Sequence, residues 1–349
     1  MTEKILCIQL KQLGDVLMIT PAIRSLAAVY PESAIHVLTQ KPADDIFKYS
    51  PYVQKTILYP GTENPRKIFS LIGSLRKERY TMVVDFHGLP KTALLSRLSG
   101  SPMRIGFNKP GRSGFYTHAV EPAAGVSYSP LKMARLLTVL GIRKVDPGLD
   151  FFPGPEDEIA VDMVLKQIKP DPHKLLVSIS PVSRREYKVW PPEYFAEICD
   201  FLVDRCGAQI LFLWGPGEYP FIQAVRDKMR QPSLPDYDIP TIRETVALLK
   251  RVDLHIGNDN GPMHFAISAS VPTVAIFGKP LLRNWNPPDQ DRHLAVEFDP
   301  GCKEQCHYPK CGLECIRQVS VASVLDKVKI QLETLTPRAH RHQDRDNTL

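Results

Sequence analysis

Apolar residues in this chain come in short unbroken runs, each followed by a loop rich in Gly, Asp, Asn or Pro and then by a stretch with helical spacing. Such runs occupy residues 5–10, 34–38, 82–86, 175–180, 209–214, 254–256 and 273–277. Runs that do not alternate predict strands buried on both faces, and runs separated by helical segments predict βαβ units in parallel sheets. Helices are expected over 16–30, with Pro21 in the early part, and over 130–140, 156–168, 241–251 and 321–335. Residues 60–80 read as a loop and then an amphipathic helix with Ile68, Leu71, Ile72 and Leu75 inward, and 103–129 read as loops with one short strand. The periodicity breaks over 146–155, where Pro147, Gly148, Pro153, Gly154 and Pro155 cluster. This predicts an α/β protein of two domains, 1–150 and 151–335, with a disordered tail over 336–349.

The stretch 252–278 is the most informative. A strand leads into the loop Gly257-Asn258-Asp259-Asn260-Gly261-Pro262, a helix, and a second strand. Gly257 and Gly261 permit positive φ and close backbone approach, Asp259 or Asn260 caps the helix, and Pro262 suits its first turn. The N–H groups of Met263, His264 and Phe265 would then face whatever sits above the strand's carboxyl end, an anion site suited to phosphate. Ordinary turn chemistry is the competing reading of the same loop, and His264 reads as structural or as part of the site. After the first strand, Gly14-Asp15 lies at another carboxyl end; from spacing alone Asp15 is a helix cap or a general base. Arg66 and Lys67 open a helix against the preference of its dipole, a hint of a ligand.

Composition narrows the class. The 349 residues are 43% hydrophobic and 23% charged, which fits a globular protein of two cores. No run of apolar residues is long enough to span a bilayer and the N-terminus has no h-region, so a cytoplasmic protein is expected. The net charge of +6 is uneven: residues 1–150 carry 20 Lys+Arg against 11 Asp+Glu, a surplus of nine, while the rest has a deficit of three. A positive first domain suits an anionic substrate or an anionic membrane surface. Nucleic acid is not expected, because the basic residues are not interleaved with aromatics and no binding motif occurs. A Rossmann oxidoreductase would need a G-x-G-x-x-G after a strand, and neither strand loop supplies it. Cys7, Cys199 and Cys206 lie in apolar patterns where free thiols are common; Cys302, Cys306, Cys311 and Cys315 lack the usual C-x2-C zinc pairing, and no metal or cofactor is assigned.

Asp259-Asn260-Gly261-Pro262-Met263-His264, with Ala266 and Pro272, resembles the nucleotide-site signature of the glycosyltransferase family that contains the ADP-heptose:lipopolysaccharide heptosyltransferases. The segment around Leu13-Gly14-Asp15 is similar to that family's first motif, and the resemblance extends over roughly residues 4–335. It implies the GT-B architecture, α/β with two Rossmann-like domains whose parallel sheets face a central cleft. It further implies a metal-independent, inverting transfer of heptose from ADP-heptose to the inner core of lipopolysaccharide at the cytoplasmic face of the inner membrane, with Asp15 as general base.

The same resemblance assigns Lys188, in the segment ending Lys188-Val189-Trp190-Pro191, to the nucleotide diphosphate, with Ser183 beside it and Glu218 on the ribose. Asp259, Asn260, Gly261, Pro262, Met263 and His264 complete the nucleotide-sugar site, and Arg66, Lys67, Lys91 and Arg97 face the acceptor. The chain departs from the commoner Gly-Pro-Thr form after its last core strand, where it has Gly278-Lys279-Pro280. A transferase using another nucleotide sugar, or a non-catalytic nucleotide-sugar binder, would keep the Asp259–His264 loop; Asp15 favours catalysis.

Overall fold

The computed structural model describes residues 3–61, 64–122, 125, 128–289 and 291–335. The chain separates into two compact units, Met1–Phe152 and Pro153–Leu349. The tail expected over 336–349 lies outside the described residues.

In chain order the first unit contains β1 (Lys4–Ile8), α1 (Leu13–Leu17), α2 (Thr20–Val29), β2 (Ala34–Thr39), β3 (Lys55–Leu58), α3 (Pro65–Glu78), β4 (Met82–Asp85), α4 (Pro90–Leu98), β5 (Met103–Phe107), β6 (His118–Val120) and α5 (Ser129–Ala134). The described strands are all parallel, in the order β3-β2-β1-β4-β5-β6. The order reverses between β1 and β4, and it is at the carboxyl ends of such a pair that open sheets take their ligands. Leu6, Ile8, Leu38, Leu71, Leu75, Val83 and Leu95 pack into one apolar cluster, each fully buried side chain contributing roughly 1.5–3 kcal/mol.

Several expectations for this unit need correction. The helix expected over 16–30 is two helices. The first begins at Leu13, so Gly14 and Asp15 are helical rather than in a loop, and the second begins at Thr20 with Pro21 in its first turn. Pro21 cannot donate to a helix running through it, so the chain breaks before it. The edge strand β3 has no counterpart in the expected elements, since its half-exposed pattern is short and mixed. Two strands rather than one lie within 103–129, and the 130–140 helix is α only to Ala134, tightening to a 3-10 turn over Arg135–Leu140.

The second unit runs α6 (Pro155–Ile168), β7 (Leu176–Ser180), α7 (Pro192–Cys206), β8 (Gln209–Phe212), α8 (Tyr219–Arg226), α9 (Ile242–Leu249), β9 (Leu254–Asn258), α10 (Gly261–Ser268), β10 (Thr273–Phe277), α11 (Leu282–Trp285), β11 (His293–Glu297), α12 (Glu314–Arg317) and α13 (Val321–Thr334). Its parallel sheet has the order β11-β10-β9-β7-β8, which reverses between β9 and β7. Val177, Ile179, Ile210, Phe212, Ile256 and Ile276 bury the sheet against Phe195, Ile198, Leu202, Val324 and Val328 of α7 and α13.

Candidate functional site

At the switch point of the second sheet, Ser180 pairs with Gly257. A Cβ on Gly257 would lie 2.8 Å from the Ser180 carbonyl oxygen, so close approach alone requires glycine here. The positive φ expected of Gly257 and Gly261 is adopted by neither.

Asn260 is the N-cap of α10. Its Oδ1 accepts the Met263 N–H at 3.0 Å, and its Nδ2 donates to Ser180 Oγ and to the Val182 carbonyl, both at 2.9 Å. The whole amide is thus used to tie the loop after β9 to the loop after β7. This corrects the expectation of a free N–H at Met263, which Asn260 caps, and at Phe265, which falls inside the i→i−4 ladder of α10. The ladder leaves the N–H groups of Asn260 and Gly261 at the positive end of the helix.

Lys188 Nζ stands 2.6 Å from Asp259 Oδ2, with the carboxylate side chain only 2% exposed and the lysine 22%. The contact is an ion pair rather than an aligned hydrogen bond, since Asp259 Oδ2 has no hydrogen-bond partner. The neighbouring residues of its own loop hold the lysine in place. Trp190 is fully buried, its backbone N–H donating to Asn258 Oδ1 at 3.2 Å and its indole N–H to the Val319 carbonyl at 2.8 Å. The Tyr187 carbonyl packs on Gly278, where a Cβ would lie 2.0 Å away. Lys279 places its ammonium over the rings of Tyr187 and Tyr308, at 5.1 and 5.6 Å.

Burial pushes the His264 pKa down to about 4, against Asp259, so the imidazole is neutral near pH 7. Its Nδ1 and the Nδ2 of Asn258 are buried without a hydrogen-bond partner. Each such group costs about 1–3 kcal/mol, an arrangement expected where a polar ligand completes the bonding. Ser183 and Glu218 sit at the same carboxyl edge but close their own loops. Ser183 Oγ accepts the Arg185 N–H at 3.2 Å, and Glu218 Oε2 accepts the Gly215 N–H at 2.9 Å.

In the first unit Asp15 lies in the first turn of α1, not at its N-cap; that position belongs to Gln12, at φ +46°. The cap reading of Asp15 is therefore overturned. Its carbonyl accepts from Gln9 Nε2 at 3.2 Å, and Gln9 Oε1 lies 2.9 Å from His87 Nδ1. His87 belongs to the loop after β4. That loop is shaped by Asp85, fully buried, which accepts from the Gly88 N–H at 2.9 Å and the Tyr116 hydroxyl at 2.7 Å, while Arg112 donates to the Gly88 carbonyl at 2.8 Å. Burial raises the Asp85 pKa against these bonds. Burial and the fields of Lys91, Lys11 and Lys109 hold His87 at about 4.

Those three lysines come from the carboxyl ends of the neighbouring strands β1, β4 and β5. Lys91 lies there with its ammonium 4.8 Å from the centre of the Tyr59 ring. Arg97 is not brought to them. It is in the last turn of α4, about 9 Å along the axis from Lys91, where its field adds to the burial that lowers the pKa of Arg104. Arg66 and Lys67 are exposed in the first turn of α3. Gln9, Lys11, His87 and Lys109 join the site without a motif of their own; the one local signal is that His87 lies in a loop at a strand's carboxyl end. Cys302, Cys306, Cys311 and Cys315 are free thiols, and among the described residues no group of three or more His, Cys, Asp or Glu side chains is arranged to hold a metal ion.

Two parallel sheets, each with its loops gathered at a switch point, make this an α/β protein of two Rossmann-like units. Residues 68–312 match the description "Glycosyltransferase family 9 (heptosyltransferase)", and the chain belongs to that family. It is similar to lipopolysaccharide heptosyltransferase 1 of Campylobacter coli, 28% identical over 298 residues that cover 80% of this chain and 86% of that protein. Among solved structures it resembles a family 9 glycosyltransferase from Veillonella parvula, with TM-score 0.83, 22% identity and coverage of 95% and 98% of the two chains. It also resembles the Escherichia coli heptosyltransferase WaaC with ADP, with TM-score 0.68, 18% identity and coverage of 95% and 98%. No helix among the described residues is long and apolar enough to cross a membrane.

Proposed function

We propose that this glycosyltransferase moves heptose from ADP-heptose to the inner core of lipopolysaccharide by a metal-independent, inverting displacement at the cytoplasmic face of the inner membrane. The names of the similar proteins support the sugar and the acceptor, and the ADP in the WaaC structure supports the nucleotide. The observation that carries the reading is the second switch point, where Lys188, paired with buried Asp259, adjoins the N-terminus of α10 and two buried polar atoms without partners.

The second unit, 153–335, holds the donor. Lys188 and the N–H groups of Asn260 and Gly261 take the diphosphate and stabilise the charge that grows on it as the glycosidic bond breaks. Asn260 and Met263 shape this site, and neutral His264 and Asn258 supply the remaining polar contacts. Glu218 and Ser183 reach the nucleotide from the neighbouring loops. The first unit holds the anionic acceptor through Lys11, Lys91 and Lys109, with Arg66 and Lys67 further out. Asp15 removes the proton from the acceptor hydroxyl as it attacks the anomeric carbon, assistance typically worth about 10²–10⁴ in rate.

Calorimetric titration of the protein in EDTA with ADP, UDP and GDP tests the donor half of this reading. The expected result is tight binding of ADP alone, weakened at least tenfold in Lys188→Met. Preference for UDP or GDP, or loss of ADP binding on chelation, would overturn it.

A further inference from the structure

The first unit's switch point contains a hydrogen-bonded chain that the transfer reaction itself does not use. Gln9 is nearly fully buried between the carboxyl ends of β1 and β4. Its Nε2 lies against the Asp15 carbonyl, which can only accept, so this atom donates; the other end of the amide, Oε1, must then accept. His87 Nδ1, 2.9 Å away, is therefore the protonated nitrogen, and its Nε2 carries the lone pair. That Nε2 is buried and makes no hydrogen bond. The chain has one direction, from the β4 loop through Gln9 to the turn that carries Asp15.

Two further observations say that this turn needs holding. Gln12, immediately before α1, has φ +46° and ψ 132°, a backbone conformation that a non-glycine residue adopts only under constraint from its surroundings. The helix that carries Asp15 is five residues long and has no side-chain cap. The other end of the chain is rigid: Asp85, Tyr116 and Arg112 fix the backbone beside His87, and Gly106 is required because a Cβ there would lie 2.3 Å from the Tyr116 ring.

We propose that Gln9 and His87 are positioning residues that set the Asp15 turn, with His87 donating to Gln9 from Nδ1. The inference rests on the reading of Asp15 as the base, and it assigns the rigid β4 loop as the support of that base. Acid–base groups must be held within a few tenths of an ångström of their working geometry, so loosening this support lowers turnover and leaves donor binding in the other unit untouched.

The experiment compares His87→Ala, His87→Asn and His87→Gln. An asparagine amide can place a donor where Nδ1 was, whereas a glutamine amide reaches the place of Nε2. His87→Ala and His87→Gln are expected to lower kcat by roughly ten- to a hundredfold with ADP affinity unchanged, and His87→Asn is expected to restore most of that loss. Gln9→Glu, which turns an acceptor toward the Asp15 carbonyl, should resemble His87→Ala. Retention of activity by His87→Gln with loss in His87→Asn would move the role to Nε2 and overturn the proposal, as would wild-type kcat in all three. Nitrogen-15 spectra of histidine-labelled wild-type protein supply a readout independent of turnover: a proton on Nδ1 of His87 at pH 7 is expected, and a proton on Nε2 contradicts the chain. If Asp15→Asn is fully active the base reading fails while the spectra still test the chain; if Asp15→Asn is inactive and His87→Ala is not, only the present inference fails.

Discussion

The two switch points solve the problem of binding an anion in different ways. In the second unit the loops after β7 and β9 are stitched together by Asn260, and the cation that reaches the site, Lys188, is paired with a buried carboxylate at 2.6 Å. In the first unit Lys11, Lys91 and Lys109 surround His87 and, among the described residues, none of the three is ion-paired. A neutralised, prebuilt pocket suits a ligand of fixed shape such as a nucleoside diphosphate. A group of uncompensated lysines suits a larger anionic partner recognised mainly by charge.

The sharpest way to break the second unit is at Gly278. A Cβ there meets backbone, 2.0 Å from the Tyr187 carbonyl, whereas at Gly106 in the first unit it meets the Tyr116 ring at 2.3 Å. Gly278→Ala should lower stability by about 3 kcal/mol or more and displace the turn that carries Lys188; urea denaturation checks it. Lys188→Met comes next. It leaves Asp259 buried and unpaired, a loss of about 3 kcal/mol, and removing both charges in the Lys188→Met, Asp259→Asn pair should recover part of it.

Acid should separate the units by a smaller margin. His255, His264 and His293 in the second unit are held at about 3, 4 and 4 by burial, and in the first His87 is held at about 4 and His36 is lowered. A histidine with a depressed folded pKa is protonated first in the unfolded chain, so stability is full above about pH 6.5 and falls toward pH 4, by up to about 1.4 kcal/mol per pH unit per group. Hydrogen exchange at pH 7 and pH 5 should therefore show the second unit, with more such histidines, losing more stability than the first. Salt supplies the gentlest separation. Raising NaCl from about 0.05 to about 0.5 M should raise the acceptor KM several-fold and change ADP affinity less than about twofold; equal sensitivity would erase the contrast between the two sites.

Much of this was legible in the chain. The runs of Ile, Leu and Val gave the core strands, and the Asn260-Gly261-Pro262 sequence marked the start of α10, because capping and proline chemistry act over a few residues. What escaped the sequence is non-local. Nothing near Asn260 says that its amide will be consumed by Ser180 and Val182, some 80 residues earlier. Nothing near Gln9 says that it will meet His87, 78 positions on. The break between α1 and α2 was marked by Pro21, yet the apolar pattern runs through it because the residues of the break itself, Met18 and Ile19, are as buried as Leu17 before them and Ala22 after them. The edge strand β3 has too few buried positions to stand out from a loop.

The proposed role of Asp15 as the base of a heptosyl transfer is tested by the turnover of Asp15→Asn with ADP-heptose and an inner-core acceptor in EDTA, alongside ADP binding to the same variant. A fall in kcat of about 10²–10⁴ with ADP affinity unchanged is expected. Turnover within a few-fold of the unaltered protein would contradict it.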